Sequence, residues 1–207
     1  MRTKFNILVL AVFAAWILVG AEPVSGATDK AEASKFIDGL STTAFRVLKS
    51  KGLSLEQKEA KVRSLVSESF DLKTIGKFVL GSSWRKASKA QRKEYLALFR
   101  QFIIATYSRR FGGYSGQRFE IVGAKPIGKS DVLVSTKIAR PSGPPILAGW
   151  RVRNSKGRYK ILDVVVSGVS MVVTQRSEFR AVVRRQGVGG LIETLRLQVT
   201  KFSAQPK

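Results

Sequence analysis

Residues 150–179, WRVRNSKGRYKILDVVVSGVSMVVTQRSEF, constrain the fold most, because they join a hairpin, the most apolar strand and the start of a helix. In the arm at 146–153, Ile146, Ala148, Trp150 and Val152 share one face while Leu147, Gly149, Arg151 and Arg153 take the other. That alternation predicts a half-buried strand. Asn154, Ser155, Lys156 and Gly157 have turn chemistry, so residues 158–166 run back antiparallel. After Asp163 this arm becomes Val164, Val165 and Val166, β-branched and apolar on both faces. Gly168 permits a bend, and Val169, Met171, Val172 and Val173 extend the apolar surface. From Thr174 onward, charged residues spaced around Phe179, Val182 and Val183 predict an amphipathic helix. On its own the stretch is either a core hairpin or the wall of an apolar chamber.

Upstream, Ala33, Phe36, Ile37, Leu40, Ala44, Val47 and Leu48 recur at helical spacing and stop near Gly52. Ser54 with Gln57 is a capping-box pattern opening a second helix with Val62, Leu65, Val66 and Phe70 on its apolar stripe. Residues 70–81 predict a short apolar helix that starts near Asp71 and is stopped by Gly81, with Trp84 in a turn beyond it. Ser88 and Gln91 repeat the capping box. The helix they open carries Tyr95, Leu98, Phe99, Phe102, Ile103, Thr106 and Tyr107 and closes near Gly112 and Gly113. An aromatic stripe of this kind suits a solid core or, laid across a sheet without filling the gap, the lining of a cavity.

Residues 119–122 and 132–138 are the other strands, the second with Val132, Val134, Thr136 and Ile138 inward. Successive reversals give an antiparallel sheet of about four strands. Past Gly187, Gly189 and Gly190 allow a turn into a last helix bearing Leu191, Ile192 and Leu195, and the tail after Thr200 is expected to fray. The fold class is α+β: an antiparallel sheet together with amphipathic helices.

The first 27 residues form a signal peptide: a basic start at Arg2 and Lys4, an apolar run over 7–19, then Ser25, Gly26 and Ala27 before the expected cleavage. Cleavage after Ala21 is the second choice, and the run is short for an uncleaved anchor. Residues 28–207 then form one domain in an exported protein. The chain has 37 Lys and Arg against 14 Asp and Glu, a formal charge of +23, with no Cys and no His. Thiol and imidazole catalysis and the common zinc sets are thereby excluded. The charge favours anionic partners, and outside the cytoplasm these are lipid or protein more than nucleic acid.

Two motifs suggest enzymes and fail. Residues 123–130, GAKPIGKS, match a phosphate loop, yet residues 131–138 alternate as a strand where that loop requires a helix. Residues 168–172, GVSMV, begin like a nucleophile elbow but lack its second Gly and a His base. Asp163 and Glu178 are isolated, suited to capping or pairing with Arg176 or Arg180. No catalytic or metal site is expected, and no cofactor beyond bound cargo.

DVVVSGVSMVVTQRSEF followed by RRQGVGGLIETL, with FDLKTIGKFVLGSSWRKASKAQR, FRQFIIATYSRRF, YSGQRFEIV and GPPILAGWRVR upstream, resembles the MlaC family of periplasmic phospholipid-binding proteins, also called toluene-tolerance proteins. The resemblance spans residues 70–195. It implies a carrier that shuttles phospholipid between an outer-membrane lipoprotein complex and an inner-membrane ABC transporter with an MCE-domain protein, maintaining outer-membrane lipid asymmetry. The high charge departs from that pattern, and a branch linked to hopanoid transport is similar, so a hopanoid is the alternative cargo. A carrier must hide acyl tails, each methylene removed from water contributing roughly 0.8 kcal/mol. The expected lining is Phe78, Leu80, Trp84, Phe99, Phe102, Ile103, Tyr107, Val134, Trp150, Val152, Val164, Val166, Val169 and Met171, with Lys or Arg near the mouth for the phosphate. The competing expectation is a basic envelope protein that holds anionic surfaces or nucleic acid by charge alone, through Arg109 and Arg110, Arg151 and Arg153, and Arg184 and Arg185.

Overall fold

A computed structural model describes residues 28–108 and 116–204. The signal segment, the Arg109 and Arg110 pair and the helix end expected at Gly112 and Gly113 lie outside the described residues. Helix α1 is Lys30–Lys49, entered through Asp29, whose carboxylate accepts from the N–H groups of Ala31 and Glu32. Helix α2, Leu55–Ser69, opens on the reciprocal Ser54 and Gln57 box. Helix α3, Leu72–Leu80, is capped by Asp71 and ends at Gly81, whose φ of 60° suits a residue without Cβ. Trp84 belongs to a one-turn helix α4, Ser83–Lys86, where a turn was expected. Helix α5, Lys89–Ser108, opens on the second reciprocal box, Ser88 with Gln91.

Strands β1 (Arg118–Ile127), β2 (Asp131–Ala139), β3 (Ile146–Ser155), β4 (Arg158–Val166) and β5 (Val169–Ser170) form one antiparallel meander in chain order. The sheet thus has five strands, one more than expected, because Val169 and Ser170 pair back onto Val166 and Val165. Two tight reversals use positive φ at both central residues, Lys156 with Gly157 and Ser167 with Gly168, the geometry that matches strand twist. Strand β1 continues through Ile127, so the phosphate-loop look-alike is half strand and half turn, and Asp131 resumes as strand.

Cross-strand register gathers the apolar positions on one face. Val132 faces Val152, Val134 faces Trp150, and Trp150 faces Val164. A bulge at Leu162 lets Ile161 oppose Val152, which keeps the apolar row on the same side. The opposite face carries Arg151 and Arg153, both bound to Asp131 through their Nε atoms at 2.6 Å. Burial alone would raise the Asp131 pKa, but the hydrogen bonds and charges of Arg153 and Arg151 outweigh it and hold the carboxyl below 3.8.

Helix α6, Met171–Ala204, begins three residues before the expected Thr174. Its start is fixed by tertiary caps: Asp163 accepts from the Val172 N–H and from the Ser170 hydroxyl, and Ser170 Oγ accepts from the Val173 N–H. The helix breaks at Gly187 (φ 69°, ψ −177°), not at Gly189 and Gly190, and remains helical to Ala204 where fraying was expected.

Helix α1 covers the inner face over β1, β2 and β3, while the aromatic α5 packs on α2, α3 and α6. The close approach of α1 depends on Ala33, fully buried against the strands beside Ile37. In the helical layer, the Tyr95 hydroxyl donates to the Gly76 carbonyl at 2.9 Å. A Cβ on Gly76 would sit 2.9 Å from Leu96 Cδ2 and 3.0 Å from Phe99 Cδ1, so α3 and α5 touch because position 76 has no side chain.

Two stability predictions follow from these contacts. Gly76→Ala should destabilise the protein by about 1–3 kcal/mol through overpacking, read as a lowered urea midpoint; an unchanged midpoint would contradict the close contact. Because the folded Asp131 pKa is depressed, its contribution is present above the unfolded value and is lost as pH falls from 3.8 through the folded value. Asp131→Asn should therefore remove about 2 kcal/mol at neutral pH and flatten the acid limb of a stability-against-pH curve.

Candidate functional site

The buried apolar residues divide into two clusters. One lies among the helices: Leu72, Ile75, Val79, Leu80, Tyr95, Phe99, Ile103, Phe179, Leu191, Ile192 and Leu195. The other lies between α1 and the sheet: Ala33, Ile37, Val132, Val134, Val152 and Ile161. Phe70 packs against both. Its place is set by a parallel bridge to Ile161 and by the Asp71 N–H, which donates to the Ile161 carbonyl at 3.0 Å. A domain of this size ordinarily closes one contiguous core.

Along the inner face coverage is uneven, with Thr136 and Ala148 buried among less covered neighbours. Val132, Val134, Val152 and Ile161 are fully buried, whereas Trp150, Val164, Val166, Ile138 and Ile146 are only half-covered. Strand β4, which carries Val164 and Val166, also meets α3 and α6. Half-covered Phe102, Ile104, Tyr107 and Val172 flank the helical cluster. In the seam where β4 meets α3 and α6, the large apolar side chains of Val164, Val166 and Val172 are thus left only half-covered.

The polar atom on the sheet side of this seam is withdrawn from it. The Trp150 indole N–H donates to Thr136 Oγ1 at 2.9 Å, and the Thr136 hydroxyl donates to the Ala148 carbonyl at 3.0 Å. Both partners lie on the inner face, so the indole offers hydrocarbon without an unsatisfied donor. On α5, Thr106 Oγ1 is buried without a hydrogen-bond partner, one turn from Phe102. Burial pushes the Tyr95 phenol far above its usual range, so this group stays neutral.

The fourteen residues expected to line a cavity fall into three environments. Leu80, Phe99, Ile103, Val134 and Val152 are buried within the two clusters. Trp84, Phe102, Tyr107, Trp150, Val164, Val166 and Met171 are half-covered. Phe78 and Val169 are exposed. Ile104, Ile138, Ile146 and Val172 are half-covered residues that sequence reasoning did not single out for the lining; the inward alternation of Ile138 and Ile146 was the available signal. Arg151 and Arg153, expected as a basic cluster, are bound to Asp131. Among the described residues no cluster of His, Cys, Asp or Glu could hold a metal, and no helix is long and apolar enough to cross a membrane.

Fold and seam together define an α+β protein in which a meander sheet and a helical layer keep separate apolar clusters. A family model described as MlaC protein matches residues 38–197, and the chain belongs to that family. Over 140 residues it is 29% identical to the intermembrane phospholipid transport system binding protein MlaC of Haemophilus influenzae, a match covering 66% of this chain and 64% of that protein. The chain thus spans just under two thirds of the length of this curated relative. A solved phospholipid-binding protein from Ralstonia solanacearum, in complex with a phospholipid, has the same fold, with a TM-score of 0.70 at 22% identity over 83% of this chain and 98% of that one.

Neighbouring valines on the same face test where the solid core ends. Val134→Ala should cost about 2 kcal/mol, whereas Val164→Ala, across Trp150 on the next strand, should cost about half that or less because its methyl groups are only half-covered. Urea unfolding measures both, and equal losses would mean that the core continues through the seam.

Proposed function

We propose that this protein is a periplasmic lipid carrier that holds the acyl chains of a phospholipid between its sheet and its helical layer. The observation that carries the reading is the division of the buried interior into two clusters joined at Phe70, with half-covered apolar side chains along the seam. Two long tails inserted there leave water at roughly 0.8 kcal/mol per methylene, so holding the cargo requires no covalent bond. The headgroup stays at the mouth, where its phosphate meets Lys or Arg. Membership of the MlaC family and the phospholipid named in the Ralstonia complex support the same cargo class.

The carrier role extends to the machinery on either side. It receives or delivers lipid at an outer-membrane lipoprotein complex and at an inner-membrane ABC transporter bearing an MCE-domain protein, as the substrate-binding component of that transport. The name of the Haemophilus relative, an intermembrane phospholipid transport system binding protein, supports this placement.

Organic extraction of purified protein, followed by mass spectrometry, should release close to one lipid per chain, and the same spectrum identifies phospholipid or hopanoid. Val164→Trp, which places an indole across the seam, should lower the extracted lipid severalfold while leaving the circular dichroism spectrum unchanged. Protein that is reproducibly lipid-free and takes up no labelled lipid would overturn the carrier reading.

A further inference from the structure

Four of the large apolar side chains exposed among the described residues lie on segments that meet at one end of the molecule. Phe78 is 45% exposed, Leu147 56%, Val169 53% and Val173 53%. Short links join them. The Ser167 N–H donates to the Leu147 carbonyl at 2.9 Å, Val169 follows the turn at Ser167 and Gly168, and the Val173 N–H is capped by Ser170. Arg176, three residues beyond Val173 on α6, sits with its guanidinium 4.6 Å from the centre of the Phe78 ring. The other exposed ones, Leu55, Val122 and Leu197, lie on α2, β1 and the distal part of α6. Scattered apolar residues need no explanation, but a cluster does.

Unpaired cations surround this cluster. Lys77, Arg85, Lys86, Arg176 and Arg180 make no ion pair among the described residues. Lys77 and Arg92 lie on the Trp84 ring, each 5.4 Å from its centre, and Arg92 also donates to the carbonyls of Trp84 and Arg85. The carboxylates near these cations in sequence are fewer: Asp71 and Asp163 cap helices, and Glu178 accepts from Gln175. The end is therefore apolar at its tips and positive around them.

We propose that this end is a docking surface for an anionic phospholipid bilayer. Apolar tips suit the boundary between headgroups and acyl chains, and the cations suit headgroup phosphates. The placement also fits the cargo seam, because Val169 and Val173 flank half-covered Met171 and Val172, and Val169 pairs with Val166. A bilayer pressed here lets an acyl tail pass between membrane and seam without crossing water. This transfer role rests on the carrier reading; bilayer docking does not.

Flotation of the protein with vesicles tests it, using phosphatidylcholine alone or phosphatidylcholine with about a third phosphatidylglycerol. Binding to the anionic vesicles should be at least about tenfold tighter, and L147D/V173D should lose about tenfold of it. The charge-matched control T42D/A60D, on exposed positions of α1 and α2, should bind like the parent. The L147D/V173D protein should still release one lipid per chain on extraction and unfold at the parent's temperature. Equal loss in both double variants, or no binding of the parent to anionic vesicles, overturns the docking surface while leaving the carrier reading intact. Tight anionic binding by protein that never yields lipid instead removes the carrier reading and the transfer role with it.

Discussion

The attachment of the α2–α3 junction to β4 is the contact on which the rest of the interior depends. Phe70 bridges to Ile161, the Asp71 N–H donates to the Ile161 carbonyl, and Asp71 then caps α3 through Thr74. A few residues thus set the distance between a helical layer and a sheet that α1 has already covered at one end. Had that attachment lain nearer the half-covered end of β4, Val164 and Val166 would have been drawn into the helical cluster. The layers instead meet at Phe70 and leave a seam beyond it.

Each layer packs an apolar cluster of its own. Tyr95, Phe99, Phe102 and Phe179 pack ring against ring in the helical layer, with centroids 5.7 to 6.4 Å apart. On the sheet, Val132, Val134, Val152 and Ile161 are sealed by Ala33 and Ile37. Asp131 ties β2 to β3 from the opposite face through two arginines. On the proposed carrier reading, cargo would lie at the boundary between these two clusters.

Much of this was legible in the chain because the signals are local. Both capping boxes form reciprocally, since serine and glutamine three residues apart satisfy each other's backbone donors whatever the rest of the fold does. The inward row of β2 and β3 follows from period-two alternation. Strand β5 and the start of α6 were not legible, because Asp163 caps that helix from a strand eight residues before Met171. The phosphate-loop look-alike was rejected on the residues that follow it, and those residues are strand. Within the candidate lining, hydrophobicity identifies Val134 and Val164 alike. Which one is sealed depends on where α1 stops covering the sheet, a distance between elements that no local pattern records.

Tryptophan emission is the most direct reporter of the seam, since Trp150 stands between sealed Val134 and half-covered Val164. In a protein carrying Trp16→Phe and Trp84→Phe, Trp150 is the sole remaining tryptophan of the three in the sequence. Loading that protein with a phospholipid brominated along its acyl chain should strongly quench its emission, because bromine quenches only near contact. Unquenched emission from protein that demonstrably holds the brominated lipid would place the cargo elsewhere and contradict the account.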